Sequence, residues 1–222
     1  GYYWCYYYEV PANRESVAKA RGNVAKNTYW PEFGTGASSS TSVSSIFSDV
    51  SSSAWYKDSV QFVYDRKLMT GTKKNTFAPN SALTRAMIAQ ILYAQAGSPA
   101  VSGEMKFTDV AQGSWYYNAV LWASQNGIVT GYANGMFRPN TNITREQLAR
   151  MLYAHAGTPA VSGDLNNFAD GAKVSNWAKD AVIWAKEKGI IKGKTVNGKL
   201  CIDPQGNATR AEAATMMNNY LG

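Results

Sequence analysis

Apolar residues recur with a helical period at three places in the chain. At each place a tryptophan is followed by small or apolar residues four, five, seven and eight positions later, which lie on one face of a helix with 3.6 residues per turn. The stripes that begin at Trp115 and Trp177 keep this spacing in full, and the stripe at Trp55 keeps it with Ser59 at the second place. The pattern predicts three amphipathic helices of similar sequence.

Each of these helices is predicted to end twelve residues after its tryptophan. Gly127 and Gly189 stand at that position in the second and third helices, as glycine often does just after the last helical turn. Lys67 takes the same place in the first helix and indicates a different cap there.

A second kind of helix is predicted to begin at a Thr-Arg pair. The threonine is suited to the N-cap, and a capping box requires Glu or Gln three residues later, which Gln147 and Glu212 supply and Met87 does not. The predicted N-caps are Thr84, Thr144 and Thr209. The predicted apolar faces are Ile88, Ile91 and Leu92, then Leu148, Met151 and Leu152, then Ala213, Met216 and Met217.

The two kinds of helix alternate because the chain contains an internal repeat. LYAQAGSPAVSG begins at Leu92 and LYAHAGTPAVSG begins at Leu152, an offset of 60 with ten of twelve positions identical. A third copy follows, in which the separation between Trp and Arg is 33 residues instead of 30. The predicted segments are an extension over 1–46 and repeats over 47–106, 107–167 and 168–222.

The predicted fold class is mainly α. A single helix-loop-helix unit cannot bury its apolar faces alone, so we expect the three repeats to pack in a pseudo-threefold arrangement around a central three-helix bundle. In the extension, Tyr2–Val10 is aromatic and suggests a strand or an adhesive segment, and Glu15–Asn27 has weak helical character. Gly34–Ser45 is predicted to be a flexible linker. The extension is interpreted as the end of a cargo domain or as a cloning remnant.

The net charge of the chain indicates which class of partner it would bind. The net charge is +7 and the isoelectric point is near 9.3, which favours a polyanion such as a nucleic acid, an anionic membrane or an acidic glycan. No run of eighteen apolar residues predicts a membrane span. The chain begins at Gly1 without a signal-peptide pattern and is interpreted as a processed product or a fragment. A disulfide between Cys5 and Cys201 is left open.

Catalytic chemistry finds little support among the residues. The one histidine, His155, aligns with Gln95 of the preceding repeat and is expected on the surface. No nucleophile, zinc-protease or phosphate-loop motif is present, so no enzyme activity, metal or cofactor is predicted. Turn or capping roles are expected for the aspartates that precede the first helices, Asp49, Asp109 and Asp170.

These motifs resemble the S-layer homology family. The second repeat has Phe107-x-Asp109-Val110, Gly127-Ile128-Val129-x-Gly131, Gly135-x-Phe137-x-Pro139 and Thr144-Arg145, and the third ends with Thr209-Arg210-Ala211-Glu212. The resemblance implies a module on the bacterial cell surface that binds a secondary cell-wall polysaccharide through a pyruvate ketal on N-acetylmannosamine, in grooves between repeats. It implies no nucleic-acid partner. The alternatives are a self-assembling surface-layer protein, associating through its aromatic N-terminal segment, and the anchor fragment of a wall hydrolase.

Candidate ligand-binding residues follow from the chemistry of such a sugar. An arginine at the first position of a helix would lie beside free backbone N–H groups, and its planar guanidinium matches a carboxylate. The alternative is that these arginines pair with protein carbonyls or carboxylates between repeats. Tryptophan either packs in the core or forms a groove wall, and glycine either serves a tight turn or admits the ligand. The candidates are Arg85, Arg145, Arg210, Trp115, Trp177, Gly71 and Gly131.

Overall fold

The structure is a computed structural model that describes residues 41–222, of which Ser42–Gly222 form one compact unit. This part of the chain is mostly helical, which confirms the predicted class. Its α-helices are α1 (Val43–Ile46), α2 (Lys57–Asp65), α3 (Arg85–Gln95), α4 (Tyr117–Gln125), α5 (Arg145–His155), α6 (Lys179–Glu187) and α7 (Arg210–Leu221). Single turns of 3₁₀ helix occupy Gly171–Lys173 and Asn176–Ala178, and the strands are β1 (Lys194–Val196) and β2 (Lys199–Cys201).

Several predictions for the extension concern residues 1–40, which lie outside the described residues. They include the aromatic segment Tyr2–Val10, its proposed self-association and the pairing of Cys5. Cys201 has no disulfide partner within the described range. The end of the predicted flexible linker differs from expectation, because Val43–Ile46 form helix α1 and Val43 is fully buried.

The helices pack across the boundaries between repeats. The second helix of each repeat contacts the first helix of the next, so α3 packs on α4 and α5 packs on α6, while α7 returns to pack on α2. The apolar stripes of the first helices and the apolar faces of the second helices make these contacts. Trp122 and Trp184 are buried in the first-helix stripes, as expected, and each predicted apolar face of the second helices is buried.

Three backbone hydrogen bonds join the repeats in a closed ring. The N–H of Ile143 donates to the oxygen of Leu83 at 2.8 Å, and the N–H of Ala208 donates to the oxygen of Ile143 at 2.9 Å. The N–H of Leu83 donates to the oxygen of Ala208 at 2.9 Å and closes the ring. These residues immediately precede the N-cap threonines, so the ring fixes where the three second helices begin.

The predicted N-caps are confirmed in all three second helices. The Oγ1 atoms of Thr84, Thr144 and Thr209 each accept a hydrogen bond from the backbone N–H three residues later. Gln147 and Glu212 complete capping boxes, whereas the box is incomplete at Met87, as the sequence predicted.

Aspartates hold the loop of each repeat to its start, in the turn or capping role that was expected. The two carboxylate oxygens of Asp109 accept hydrogen bonds from the N–H groups of Phe137 and Arg138, at 2.7 and 2.6 Å. Arg138 has a φ of +58°, a left-handed conformation that is unfavourable for a residue with a Cβ. Asp49 and Asp170 make the equivalent pair of bonds in the first and third repeats.

Lys67 ends α2 in the same way as glycine ends α4 and α6. Its φ is +57°, close to the +68° of Gly127 and the +67° of Gly189. The following N–H, that of Leu68, donates to Val63 O at 2.9 Å, and Ile128 makes the same bond in the second repeat. The expectation of a different cap was wrong, because the chain keeps the left-handed conformation without a glycine.

His155 lies in the interior and not on the surface, which corrects the sequence-based expectation. It is the last residue of α5, and its Nδ1 lies 2.8 Å from the hydroxyl oxygen of Tyr220 in α7. Its ring also lies near that of Trp122. Burial lowers the pKa of His155 from 6.5 to about 4. The repeat counterpart Gln95 did not reveal this burial, because burial depends on α7, which the sequence comparison did not place nearby.

The longer loop of the third repeat forms a β-hairpin. Strands β1 and β2 pair antiparallel, with Lys194 opposite Cys201 and Val196 opposite Lys199. Asn197 and Gly198 at its tip both have positive φ, the geometry favoured in two-residue hairpin turns. Lys194 thereby comes to lie beside α7.

Candidate functional site

The three tryptophans at the start of the repeats are exposed to solvent. Their exposed fractions are 68% for Trp55, 59% for Trp115 and 55% for Trp177. The α-helices begin two residues later, so these side chains lie in the preceding turn and off the buried stripe. The indoles of Trp55 and Trp115 each pack edge-on against the following tyrosine, with ring centroids 5.2 Å apart. Of the alternatives for these tryptophans, a core position is therefore excluded.

The three arginines of the Thr-Arg pairs are buried at the contacts between repeats. Each Nε donates a hydrogen bond to a main-chain oxygen of the following repeat, and the third repeat is followed in this sense by the first. The pairs are Arg85 with Phe137 (2.8 Å), Arg145 with Ile202 (2.7 Å) and Arg210 with Phe77 (2.7 Å). Nε of each arginine therefore bonds a protein carbonyl of another repeat, which was the alternative to ligand binding.

The backbone N–H groups beside these arginines are not free, contrary to expectation. In α3 the N–H of Arg85 donates to Thr141 O and that of Ala86 donates to Pro139 O, both at 3.0 Å. The loop of the next repeat covers the helix N-terminus because the repeats pack so closely. The same bonds run from Arg145 to Gly206, Glu146 to Pro204, Arg210 to Ser81 and Ala211 to Pro79. An anion would therefore meet the guanidinium and not the end of the helix.

One cavity opens between the second and third repeats, and we call it the 2–3 groove. It has a volume of about 520 Å³. Arg85 of the first repeat and Trp177 of the third line it together with residues of the second repeat, including Gly131. It is lined by Arg85, Ile128, Val129, Thr130, Gly131, Tyr132, Ala133, Gln147, Arg150, Met151 and Trp177. Three predicted site residues, Arg85, Gly131 and Trp177, are thus brought together.

Two arginines, Arg85 and Arg150, line the 2–3 groove, and Arg138 lies beside its lining residue Tyr132. Burial lowers the pKa of the Arg85 guanidinium from its ordinary value, since the charged form loses hydration. The Cζ atoms of Arg85 and Arg138 lie 5.0 and 4.3 Å from the centroid of the Tyr132 ring. Nη1 of Arg150 is buried without a hydrogen-bond partner. Within residues 41–222, no carboxylate forms an ion pair with Arg85 or Arg150.

A second cavity, the 3–1 groove, has a volume of about 410 Å³ and carries paired charges. Arg145 and Trp55 line it together with residues of the third repeat. Nη1 of Arg145 lies 2.9 Å from Oε1 of Glu212, and Nζ of Lys194 lies 3.5 Å from the same oxygen. It is lined by Trp55, Arg145, Ile190, Ile191, Lys192, Gly193, Lys194, Glu212, Thr215, Met216 and Asn219.

The remaining candidates belong to the boundary between repeats 1 and 2. Nη2 of Arg210 donates to the oxygen of Thr70 at 2.6 Å, which places this guanidinium beside the turn at Gly71. Among the described residues, the Trp115 indole packs against Tyr116 and makes no hydrogen bond or ring contact with Arg210 or Gly71. Of these three candidates, the structure thus brings Arg210 and Gly71 together.

Gly71 and Gly131 both serve tight turns, and Gly131 also lines the 2–3 groove. Gly131 has a φ of +72°, and a Cβ there would collide with the ring of Phe107 and the oxygen of Met136. A Cβ at Gly71 would lie 2.8 Å from both the Phe47 ring and Thr76 O. The turn role is thus established by packing, and at Gly131 the same turn forms part of the 2–3 groove wall.

Sequence reasoning missed several residues that line the grooves. Trp55 was omitted although it holds the same repeat position as Trp177. Gln147, Arg150 and Met151 lie on one face of α5, a spacing of three and four residues that could have revealed them. Lys194 could not be placed, because the hairpin that carries it is specific to the third repeat.

The described residues contain neither a candidate metal site nor a candidate membrane-spanning helix. No group of histidine, cysteine and acidic side chains in residues 41–222 is arranged to hold a metal ion. Over the same range, no helix is both long and apolar enough to cross a membrane.

Comparison with known proteins bears on the three repeats. Residues 46–87, 106–149 and 167–214 match the S-layer homology domain, which confirms three tandem copies. The chain is 32% identical over 169 residues to the Surface-layer 125 kDa protein of Lysinibacillus sphaericus, covering 76% of the chain and 14% of that protein. It is 32% identical over 179 residues to an endoglucanase of Bacillus sp. (strain KSM-635), covering 79% and 18%.

A third relative shows the same partial coverage. The chain is 33% identical over 183 residues to an amylopullulanase of Thermoanaerobacterium thermosulfurigenes, covering 79% of the chain and 9% of that protein. The chain thus spans less than a fifth of the length of each of these relatives.

Proposed function

Since the chain belongs to the S-layer homology domain family, a family of the bacterial cell surface associated with the cell wall, we propose that it is a non-catalytic anchor. In this proposal it holds a surface protein to the wall by binding an anionic secondary cell-wall polysaccharide, without a covalent bond. The sugar that we propose carries a pyruvate ketal on N-acetylmannosamine.

The proposal rests on one observation, which is that Arg85 and Trp177 line the same cavity, the 2–3 groove. No carboxylate among the described residues forms an ion pair with Arg85, although the charge of Asp109 acts on it from a longer distance, so a ligand carboxylate would be its first ion pair. A guanidinium donates two parallel hydrogen bonds to a carboxylate, and a ketal of pyruvate presents such a group on a rigid ring. The exposed indole of Trp177 offers an apolar surface for the C–H face of the sugar.

The nature of the relatives supports an anchoring role for this part of the chain. A surface-layer protein, an endoglucanase and an amylopullulanase share it, although their names describe different activities. A segment common to such proteins is better suited to attachment than to any one reaction.

Calorimetric titration tests the proposal directly. The two probes are the methyl glycosides of N-acetylmannosamine with and without the 4,6-pyruvate ketal. We expect saturable binding of the pyruvylated probe alone. Trp177→Ala should weaken this binding about tenfold or more, as loss of a stacking residue does, whereas Val196→Ala removes an exposed apolar group of the hairpin and should leave it unchanged.

Other outcomes would overturn the proposal. Equal affinity for the two probes would exclude recognition of the carboxylate, and no binding of either probe would exclude this ligand. Full affinity in the Trp177→Ala variant would remove the 2–3 groove as the site.

We also propose that the repeats are related by a pseudo-threefold axis, with the second helices α3, α5 and α7 forming a central bundle. The closed ring of hydrogen bonds and the repeated helix pairs between neighbours support this arrangement. Spin labels at equivalent exposed positions of the three repeats should give three similar pairwise distances. Three clearly different distances would contradict the axis.

A further inference from the structure

The third residue of each second helix differs among the repeats. It is Met87 in α3, Gln147 in α5 and Glu212 in α7. In the third repeat this side chain reaches the arginine of the preceding repeat, since Glu212 forms an ion pair with Arg145. In the second repeat the equivalent Gln147 lines the same cavity as Arg85.

Glu212 supplies the 3–1 groove with a carboxylate from within the protein. Its Oε1 contacts Arg145 at 2.9 Å and Lys194 at 3.5 Å, and its Oε2 accepts the N-cap hydrogen bond from Thr209 N at 2.9 Å. The side chain is mostly buried, with 14% of it exposed. A ligand carboxylate could reach Arg145 only by displacing this ion pair, so Glu212 competes with it.

Gln147 leaves the 2–3 groove without such a competitor. Its Oε1 accepts a hydrogen bond from Thr144 N at 3.3 Å, and its Nε2 donates to the Tyr132 hydroxyl at 3.4 Å. The side chain is uncharged, so the charge on Arg85 is not neutralised by it. The unpartnered Nη1 of Arg150 adds a second cationic group to the same cavity.

The boundary between repeats 1 and 2 differs in another way. Met87 cannot pair with a guanidinium, but Arg210 already donates from Nε to Phe77 O and from Nη2 to Thr70 O. Two of its nitrogens are therefore committed to the protein. Arg85 and Arg145 each commit only Nε to a carbonyl of the next repeat.

We infer that the third residue of each second helix decides which groove accepts an anionic sugar: Gln147 leaves the 2–3 groove open to a carboxylate, and Glu212 keeps the 3–1 groove closed to it. This inference rests on the proposed function. The two grooves then differ in their affinity for the anionic sugar, although they are built from equivalent positions of the repeats. The 2–3 groove binds the sugar first.

Exchange of the two residues provides the test, because the cap tolerates either side chain. Gln147 already completes a capping box in α5, so Glu212→Gln keeps the cap of α7 while removing the charge. Gln147→Glu introduces the competing carboxylate into the 2–3 groove. Glu104→Gln changes the net charge by the same amount as Glu212→Gln, at an exposed residue near the end of repeat 1.

The readout is the indole N–H signal of each groove tryptophan in a two-dimensional NMR titration. Trp177 reports the 2–3 groove and Trp55 reports the 3–1 groove, with the signals assigned by Trp→Phe substitution. The probe is the pyruvylated N-acetylmannosamine methyl glycoside, and the unpyruvylated glycoside is its control. Thermal unfolding of each variant verifies that it is folded.

In the natural protein the Trp177 signal should shift at a lower probe concentration than the Trp55 signal. Glu212→Gln should lower the half-saturation concentration at Trp55 about tenfold, and Gln147→Glu should raise that at Trp177 about tenfold, the change expected for one charge-assisted hydrogen bond. Glu104→Gln should change neither value.

Two failures can be told apart. If the natural protein binds only the pyruvylated probe but both exchanges leave the two titrations unchanged, the inference is wrong and the proposed function stands. The inference is also wrong if Trp55 and Trp177 titrate together in the natural protein. If no indole signal distinguishes the two probes in any variant, both the inference and the proposed function fail.

Discussion

Arg210 donates a hydrogen bond from Nε to the main-chain oxygen of Phe77 at 2.7 Å, although 133 positions separate the two residues. The same guanidinium donates from Nη2 to Thr70 O at 2.6 Å. One side chain at the start of the last helix thus attaches the third repeat to the first, where the ring of repeats closes.

Arg210→Ala should therefore destabilise the whole ring. It removes two hydrogen bonds from a charged donor, a loss of about 2–4 kcal/mol in the free energy of unfolding. Urea denaturation followed by tryptophan fluorescence measures this change. Lys74→Ala removes an exposed cation from the first repeat and should have no measurable effect; equal stability of the two variants would show that the Arg210 contacts contribute nothing net.

Asp109 determines the position of Arg85 through the backbone of the loop. Its carboxylate holds the N–H groups of Phe137 and Arg138, and the oxygen of Phe137 accepts the bond from Arg85 Nε. Asp109→Ala should cost about 2–4 kcal/mol in unfolding free energy, because two charge-assisted bonds are lost. It should also weaken binding of the pyruvylated probe.

Asp164→Ala is the matched control for that substitution. The Asp164 carboxylate is exposed and accepts one short-range bond, from Asn166 N. Its loss should change stability by less than about 0.5 kcal/mol. If Asp109→Ala were folded as stably as Asp164→Ala, the role assigned to the aspartates would be incorrect.

Lys67→Gly should stabilise the protein by about 1 kcal/mol. Lys67 adopts a left-handed conformation that glycine adopts without steric cost, as Gly127 and Gly189 do in the other repeats. Gly127→Ala is the reverse experiment, and it should cost a similar amount although a Cβ there meets open space. Thermal unfolding compares both variants with the natural protein; a loss of stability in Lys67→Gly would contradict the argument.

Acid should weaken the fold through His155. Burial lowers its folded-state pKa to about 4, against 6.5 for the unfolded chain, so the unfolded chain takes up the proton first. The stabilising effect is present above pH 6.5 and is lost as the pH falls from 6.5 to 4. The loss amounts to about 3 kcal/mol at the lower end.

The counterpart residue of the first repeat provides a variant without this titration. His155→Gln places the amide of Gln95 at the same repeat position, and its stability should decline less between pH 6.5 and 4. Urea denaturation at several pH values measures the difference in slope. Identical slopes for the two proteins would exclude His155 as the source.

The sequence by itself determined the three second helices and their N-caps. The apolar spacing of 3.6 residues and the N-cap threonines are local properties, so the second helices begin at Arg85, Arg145 and Arg210 as predicted. The threefold repetition of a long pattern also identified the family, because such a match depends on residues in order along the chain.

The tertiary structure decided the state of each predicted site residue. His155 is buried because it packs against Tyr220 of α7, and the helix N-termini are covered by loops of the next repeat. The three tryptophans are exposed because they lie in the turn that precedes each first helix. Repeats of nearly the same sequence also differ in charge where they meet. Arg145 has Glu212 as its partner and Arg85 lines a cavity with Gln147, because each groove combines side chains from three repeats that sequence order does not place together.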